Sequence, residues 1–260
     1  MRIIFAALLM VLVTVPIAIS PVFASSPPSV APPLVAPPLH SQAEKTAVIL
    51  SSLDQVAPMG QYEVEITYYL EHAGYQVTTL TNTQVTVDFL LNDLNNYNIV
   101  IWRTNTYTWK HVEYWYVGEL ATSGIETKYA NDFAQGFMNG NAGIVGVNLN
   151  WFSTHFTSGM LTNVKLMMLI SSDSESFAGF FITAGATAVV FCSGPIDLGF
   201  GQMDDLANQV MAYLSTGQTL YNAVYGVVSP FIQNANTEDP LDTSYSPPFW
   251  YQGDGTLTIT

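Results

Sequence analysis

The sequence predicts a three-layer α/β/α sandwich built on a mainly parallel sheet. Two observations carry this: short apolar, β-branched runs recur along residues 46–192, and segments with helical spacing separate them. A third is length. About 220 residues remain after an N-terminal apolar segment and a proline-rich stretch, enough to bury a core on both faces of a sheet.

The elements follow in order. Thr46–Leu53 (TAVILSSL) is an apolar run bounded by polar residues, as a strand buried on both faces requires. Tyr62–His72 sets Val64, Tyr68 and Leu70 at helical spacing, and Gly74 ends the helix. Tyr75–Leu80 alternates as a second strand, and Val87–Asn95 offers Phe89, Leu90, Leu91 and Leu94 as a helix face. Asn98–Trp102 (NIVIW) is a third strand that runs into Arg103, Thr104 and Asn105. His111–Leu120 alternates aromatic and polar residues and fits a hairpin better than a helix. Residues 122–143 form an acidic insertion with no assigned structure, 144–149 an added strand, and 151–161 a short helix or loop.

Lys165–Ile170 (KLMMLI) is the fourth core strand, ending in Ser171-Ser172-Asp173. Ser174 is placed to cap the next helix, which packs through Phe177, Phe180, Phe181 and Ile182 and closes at Gly185. Thr187–Cys192 is the fifth strand. Met203–Leu214 and Leu220–Val228 are helices, and Gly253-Asp254-Gly255 turns a C-terminal β-hairpin between two β-prone runs. Strands alternating with helices through right-handed crossovers give the parallel sheet.

Met1–Ala24 has the layout of an export signal: Arg2, an apolar run Ile3–Val15, and small residues after Phe23 that suggest cleavage following Ala24. Uncleaved, Ile3–Ile19 reaches the roughly 17 residues a spanning helix needs, and this is the only membrane association expected. Residues 25–43 (SSPPSVAPPLVAPPLHSQA) are a proline-rich linker, extended and without a core of their own. The domain proper is 44–260, and the predicted location is extracellular or at the cell surface.

Charge narrows the partners. The chain carries 20 acidic and 6 basic residues, and loss of Arg2 with the signal leaves five basic residues and a net charge of −15. Phosphates are repelled by such a surface, so nucleic acid is excluded as a partner. Cys192 is the single cysteine, which rules out an intrachain disulfide and a cysteine-rich metal site. There is no phosphate loop, no HExxH zinc motif and no GxSxG nucleophile turn, and no cofactor or metal is expected. The loose acidic groups Asp204-Asp205, Glu238-Asp239 and Asp242 read as solvated charge. The aromatic string Tyr107, Trp109, Tyr114, Trp115 and Tyr116 is either hairpin packing or a carbohydrate or partner surface.

The polar groups after the third and fourth strands, Arg103-Thr104-Asn105 and Ser171-Ser172-Asp173, fall on one edge of the sheet, the edge where open α/β folds bind ligands. Residues 164–188 (VKLMMLISSDSESFAGFFITAGATA), the helix ending Leu214-Ser215-Thr216-Gly217 and the closing turn Tyr251–Leu257 resemble the caspase-like fold, specifically secreted prokaryotic and archaeal members of the gingipain and separase type. The resemblance implies a histidine after the third strand and a cysteine nucleophile after the fourth. Here Asn105 or Thr104 stands at the histidine position, and Ser172, or Ser171 in a shifted register, at the cysteine position.

A serine hydroxyl without an adjacent base is a poor nucleophile, and asparagine cannot accept its proton. The expectation is therefore a pseudo-peptidase that binds a protein or peptide partner at the former active-site edge through Ser172, Asn105, Arg103 and Asp173. Arg103 would either grip a ligand carboxylate or pair with Asp173. Two alternatives stand beside it. One is an active hydrolase with Ser172 or Cys192 served by His155 or His111; the other is a structural protein of the cell envelope.

Overall fold

The computed structural model describes residues 44–141, 143–172, 174–192, 200–238 and 249–260. The predicted signal, the proline-rich linker and Asp173 lie outside the described residues. Among the described residues ten strands and eight α-helices follow in chain order, with short 3-10 turns after β2 and α2: β1 Thr46–Ser51, α1 Gln61–His72, β2 Gln76–Thr81, α2 Val87–Asn92, β3 Ile99–Arg103, β4 Thr106–Trp109, β5 Val112–Leu120, α3 Ser123–Lys128, α4 Ala130–Ala134, β6 Met138–Asn141, β7 Ile144–Val147, α5 Leu149–His155, β8 Leu166–Ile170, α6 Glu175–Ala184, β9 Ala188–Cys192, α7 Phe200–Ser215, α8 Leu220–Glu238 and β10 Phe249–Gly253.

The main sheet has the order β2-β1-β3-β8-β9-β10. Its first five strands are parallel and β10 runs antiparallel to β9. Because side chains alternate along a strand, each core strand feeds two apolar clusters. Ala47, Ile49, Ile99, Ile101, Met168 and Val190 face α1, α7 and α8, whereas Val48, Leu50, Val100, Trp102, Met167 and Val189 face α2, α5 and α6. Helices on both faces of a mainly parallel sheet make the predicted α/β/α sandwich. No helix of the described residues is long and apolar enough to cross a membrane.

Between β3 and β8 lies a second, four-stranded antiparallel sheet, β4-β5-β7-β6, which takes in the predicted hairpin segment 111–120 and added strand 144–149 together with part of the unassigned 122–143. It packs on the main sheet through an aromatic cluster in which Trp115 meets Trp102 edge-on at 5.2 Å and Phe177 at 4.0 Å. All three rings are fully buried. Truncating one such ring to alanine costs about 3–5 kcal/mol, so burial of Trp115 ties the inserted sheet to the main one.

Several local readings are corrected. In α1 the buried residues are Tyr62, Ile66 and Leu70, four apart, while Val64 and Tyr68 face solvent. Ser174 does not cap α6 with its side chain. Its Oγ instead accepts the Cys192 N–H at 2.7 Å, joining the start of α6 to the end of β9. The C-terminal hairpin does not form: β10 pairs with β9, and after Gly253 the chain turns away, with Asp254 Oδ1 accepting the Thr256 N–H at 2.8 Å. At Gly253 (φ +98°) a Cβ would lie 2.4 Å from the Thr187 carbonyl oxygen, so the turn residue that suggested a hairpin serves a close approach to β9.

Candidate functional site

The topology brings the ends of β1, β3 and β8 side by side. Arg103 pairs in register with Ser51 and Ile170, the Ser52 N–H donates to the Arg103 carbonyl, and the Thr104 N–H donates to the Ile170 carbonyl, both at 3.1 Å. From β1 the chain adds β2 on one side and then β3, β8 and β9 on the other, so the parallel neighbours β1 and β3 also flank the topological switch point at which such sheets bind ligands. Ser52, Thr104 and Ser171 are buried here, while Asn105, Thr106 and Ser172 are half-buried.

The polar groups of this edge are engaged with one another. Ser172 Oγ lies 3.4 Å from Thr106 Oγ1. Asn105 Oδ1 accepts the Thr106 N–H at 2.9 Å. Thr104 donates its hydroxyl to the Tyr116 carbonyl at 2.6 Å, and the Asn105 carbonyl accepts the Tyr116 N–H. The tip of β3 therefore holds β5 in place, and the second sheet begins directly at the edge.

Arg103 is not a rim cation. Alternation sends its side chain to the face of Ile99 and Ile101, where it is 2% exposed. There Nε and Nη2 grip the two carboxylate oxygens of Asp204 at 2.8 and 3.0 Å, and Nη1 donates to the Ala57 carbonyl. Asp204, expected to be solvated, is the arginine's partner from α7, 101 residues away. Burial pushes its carboxyl up and the Arg103 hydrogen bonds pull against that shift. The Tyr62 hydroxyl beside the pair is buried, and burial and the Asp204 charge together hold its pKa well above the ordinary value. Sequence reasoning missed Asp204 because it reads like its exposed neighbour Asp205; the helical position shared with Met203, Ala207 and Val210 on the buried side was the available signal.

The remaining nucleophile candidate is withdrawn from the edge. Cys192 is fully buried, with Sγ 3.8 Å from the Leu169 carbonyl and 3.9 Å from Met203 Sδ. Burial pushes its thiol up to about 12, outweighing hydrogen bonds from Ser171 and Ser174, so it is protonated and inert near neutral pH. His155 reaches both oxygens of buried Asp132 at 3.1 Å and packs on Trp151 at 5.1 Å. His111 sits exposed in the turn between β4 and β5. Among the described residues no histidine hydrogen-bonds to Ser172 or Cys192, and no three His, Cys, Asp or Glu side chains converge as a metal site.

The second sheet carries an open cleft of about 430 Å³ between the β4–β5 turn, the end of α4 and the start of α5, lined by Trp109, Tyr114, Gln135 and Asn139 among others. The aromatic string thus divides. Trp115 belongs to the core, Tyr107 stacks on Tyr114 (5.4 Å) and meets Tyr116 at a tilt (4.5 Å) on the opposite face of the inserted sheet, and Trp109 stands 48% exposed at the cleft.

No family model matches the chain, and no curated protein matches it in sequence. Among solved structures it is similar to a flavodoxin from Streptococcus pneumoniae TIGR4 (16% identity over 62% of this chain and 94% of that one, TM-score 0.31). It is also similar to a short-chain flavodoxin associated with a bacterial microcompartment (13%, 62% and 92%, TM-score 0.28) and to a Geobacter sulfurreducens protein (10%, 81% and 94%, TM-score 0.36).

Proposed function

We propose that the chain is an exported pseudo-peptidase of the caspase-like type, which acts outside the cytoplasm by binding a protein or peptide partner along the carboxyl edge of its main sheet. One observation carries the reading. Ser172, at the nucleophile position of the resemblance, has the Thr106 hydroxyl for its neighbour and no described imidazole. Among the described residues the Ser172 hydroxyl has no group beside it to take its proton near neutral pH, so attack on a peptide carbonyl lacks its first step there. The buried Cys192 thiol and the Arg103–Asp204 pair supply no substitute. Asn105, Thr106 and Ser172 keep polar groups half-open to solvent, which supports recognition without chemistry. The active-hydrolase reading loses ground because His155 is oriented by a carboxylate but directed at no nucleophile.

The full chain, incubated with a fluorophosphonate and with iodoacetamide, is expected to remain unlabelled at Ser172 and Cys192 and to leave peptide libraries uncut. A peptide captured from such a library is expected to bind more weakly to the Ser172→Arg variant. Labelling at either residue that disappears in His155→Ala refutes the reading. So does recovery of the chain, signal intact, from the cytosol.

A further inference from the structure

The geometry points to a second binding site, independent of the strand-tip edge: the cleft on the inserted sheet takes a saccharide, with one sugar ring lying on Trp109. The cleft is walled by two kinds of group. Trp109 presents an exposed indole, Tyr114 lines the cleft with a ring that is itself buried, and the side-chain amides of Gln135, Asn139 and Asn150 supply polar lining. These three amides make no side-chain hydrogen bond to other described residues, whereas the neighbouring Asn148 spends its amide on the Gly136 carbonyl and on the first turn of α5.

The combination matches the two faces of a pyranose. Its axial C–H groups form an apolar patch that lies on an aromatic plane, and its equatorial hydroxyls each need a donor and an acceptor, which a carboxamide supplies together. An apolar peptide side chain would leave the three amides unpaired, which costs affinity. In a chain with 20 acidic residues, no carboxylate among the described residues lines this cleft, and Lys110 is the one described charge there, with Nζ over the Trp109 ring at 5.8 Å from its centroid.

The walls are fixed in advance. The Tyr114 hydroxyl and Asn148 Nδ2 both donate to the Gly136 carbonyl at 2.8 Å, tying β5 and the start of α5 to the turn after α4. Trp109 pairs in register with Val112 across a two-residue turn, where Lys110 and His111 have φ of +49° and +66°. That left-handed conformation favours glycine or asparagine, and non-glycine residues held in it concentrate at ligand sites.

The test is a glycan array probed with the full chain, followed by titration of the strongest oligosaccharide. Binding is expected, and Trp109→Ala should weaken it about tenfold or more. Trp109→Phe should retain most of it, Asn139→Ala and Gln135→Ala should each weaken it, and Trp250→Ala, which removes an exposed indole elsewhere, should leave it unchanged. Circular dichroism of Trp109→Ala identical to the parent separates lost contact from lost fold. A silent array, binding that survives Trp109→Ala, or Trp109-dependent binding of library peptides alone overturns the assignment. Ser172→Arg is expected to leave sugar binding intact, so this site and the strand-tip edge fail separately.

Discussion

Replacing Arg103 by methionine tests whether the arginine is a buried structural partner or a ligand anchor. The substitution keeps much of the side-chain volume but removes the guanidinium that meets both Asp204 oxygens, at 2.8 and 3.0 Å. Asp204 is 6% exposed and Arg103 2%, so water cannot replace the lost partner without opening the core. Removing one member of such a pair costs about 3–5 kcal/mol, a large part of the 5–15 kcal/mol that typically holds a domain folded. At about 2–4 °C per kcal/mol for a domain of this size, the melting temperature should fall by roughly 6–20 °C. The double substitution Arg103→Met/Asp204→Leu removes both charges and is expected within about 1 kcal/mol of the parent. Urea unfolding followed by tryptophan fluorescence measures both. If the single variant unfolds within about 1 kcal/mol of the parent, or the double variant is as unstable as the single one, the pair is not what secures Arg103, and the reading of Arg103 as a buried structural partner fails.

Three further outcomes follow from the same contacts. Because burial raises the Cys192 thiol from its ordinary value to about 12, the unfolded chain ionises first, and the stability this group contributes is complete below about pH 9 and lost as pH rises towards 12; a thiol reagent at pH 8 should modify Cys192 only after denaturant is added. Lys110→Asn combined with His111→Gly relieves two positive-φ residues and should raise hairpin stability by about 1 kcal/mol per position, read as a higher urea midpoint. Gly253→Ala drives a Cβ against the Thr187 carbonyl and should cost more than about 1 kcal/mol, detaching β10 from β9 first, as hydrogen exchange at β10 would report.

The core strands and most helices were legible because their information is local. A strand buried on both faces needs an uninterrupted apolar run, and TAVILS, IVIWR and LMMLI have no other use for one. Their parity then determined that Ile101 and Trp102 pack on opposite sides of the sheet. The meeting of the Arg103 and Ser172 segments at one edge followed from the strand order alone. What the sequence left open was decided by contacts between residues far apart along the chain. Asp204 lies 101 residues from Arg103 and Asp132 lies 23 from His155, and no spacing rule links either pair. Phe249–Gly253 satisfies its backbone on β9 rather than on its own continuation, and the stretch after Asn105 becomes a sheet because Trp115 finds Trp102 and Phe177 to bury against. Periodicity reports how a segment divides its faces between apolar and polar surroundings; which hydrogen-bond or charge partner waits on a buried face depends on the packed structure, because a buried polar group must be satisfied by whatever the fold brings to it.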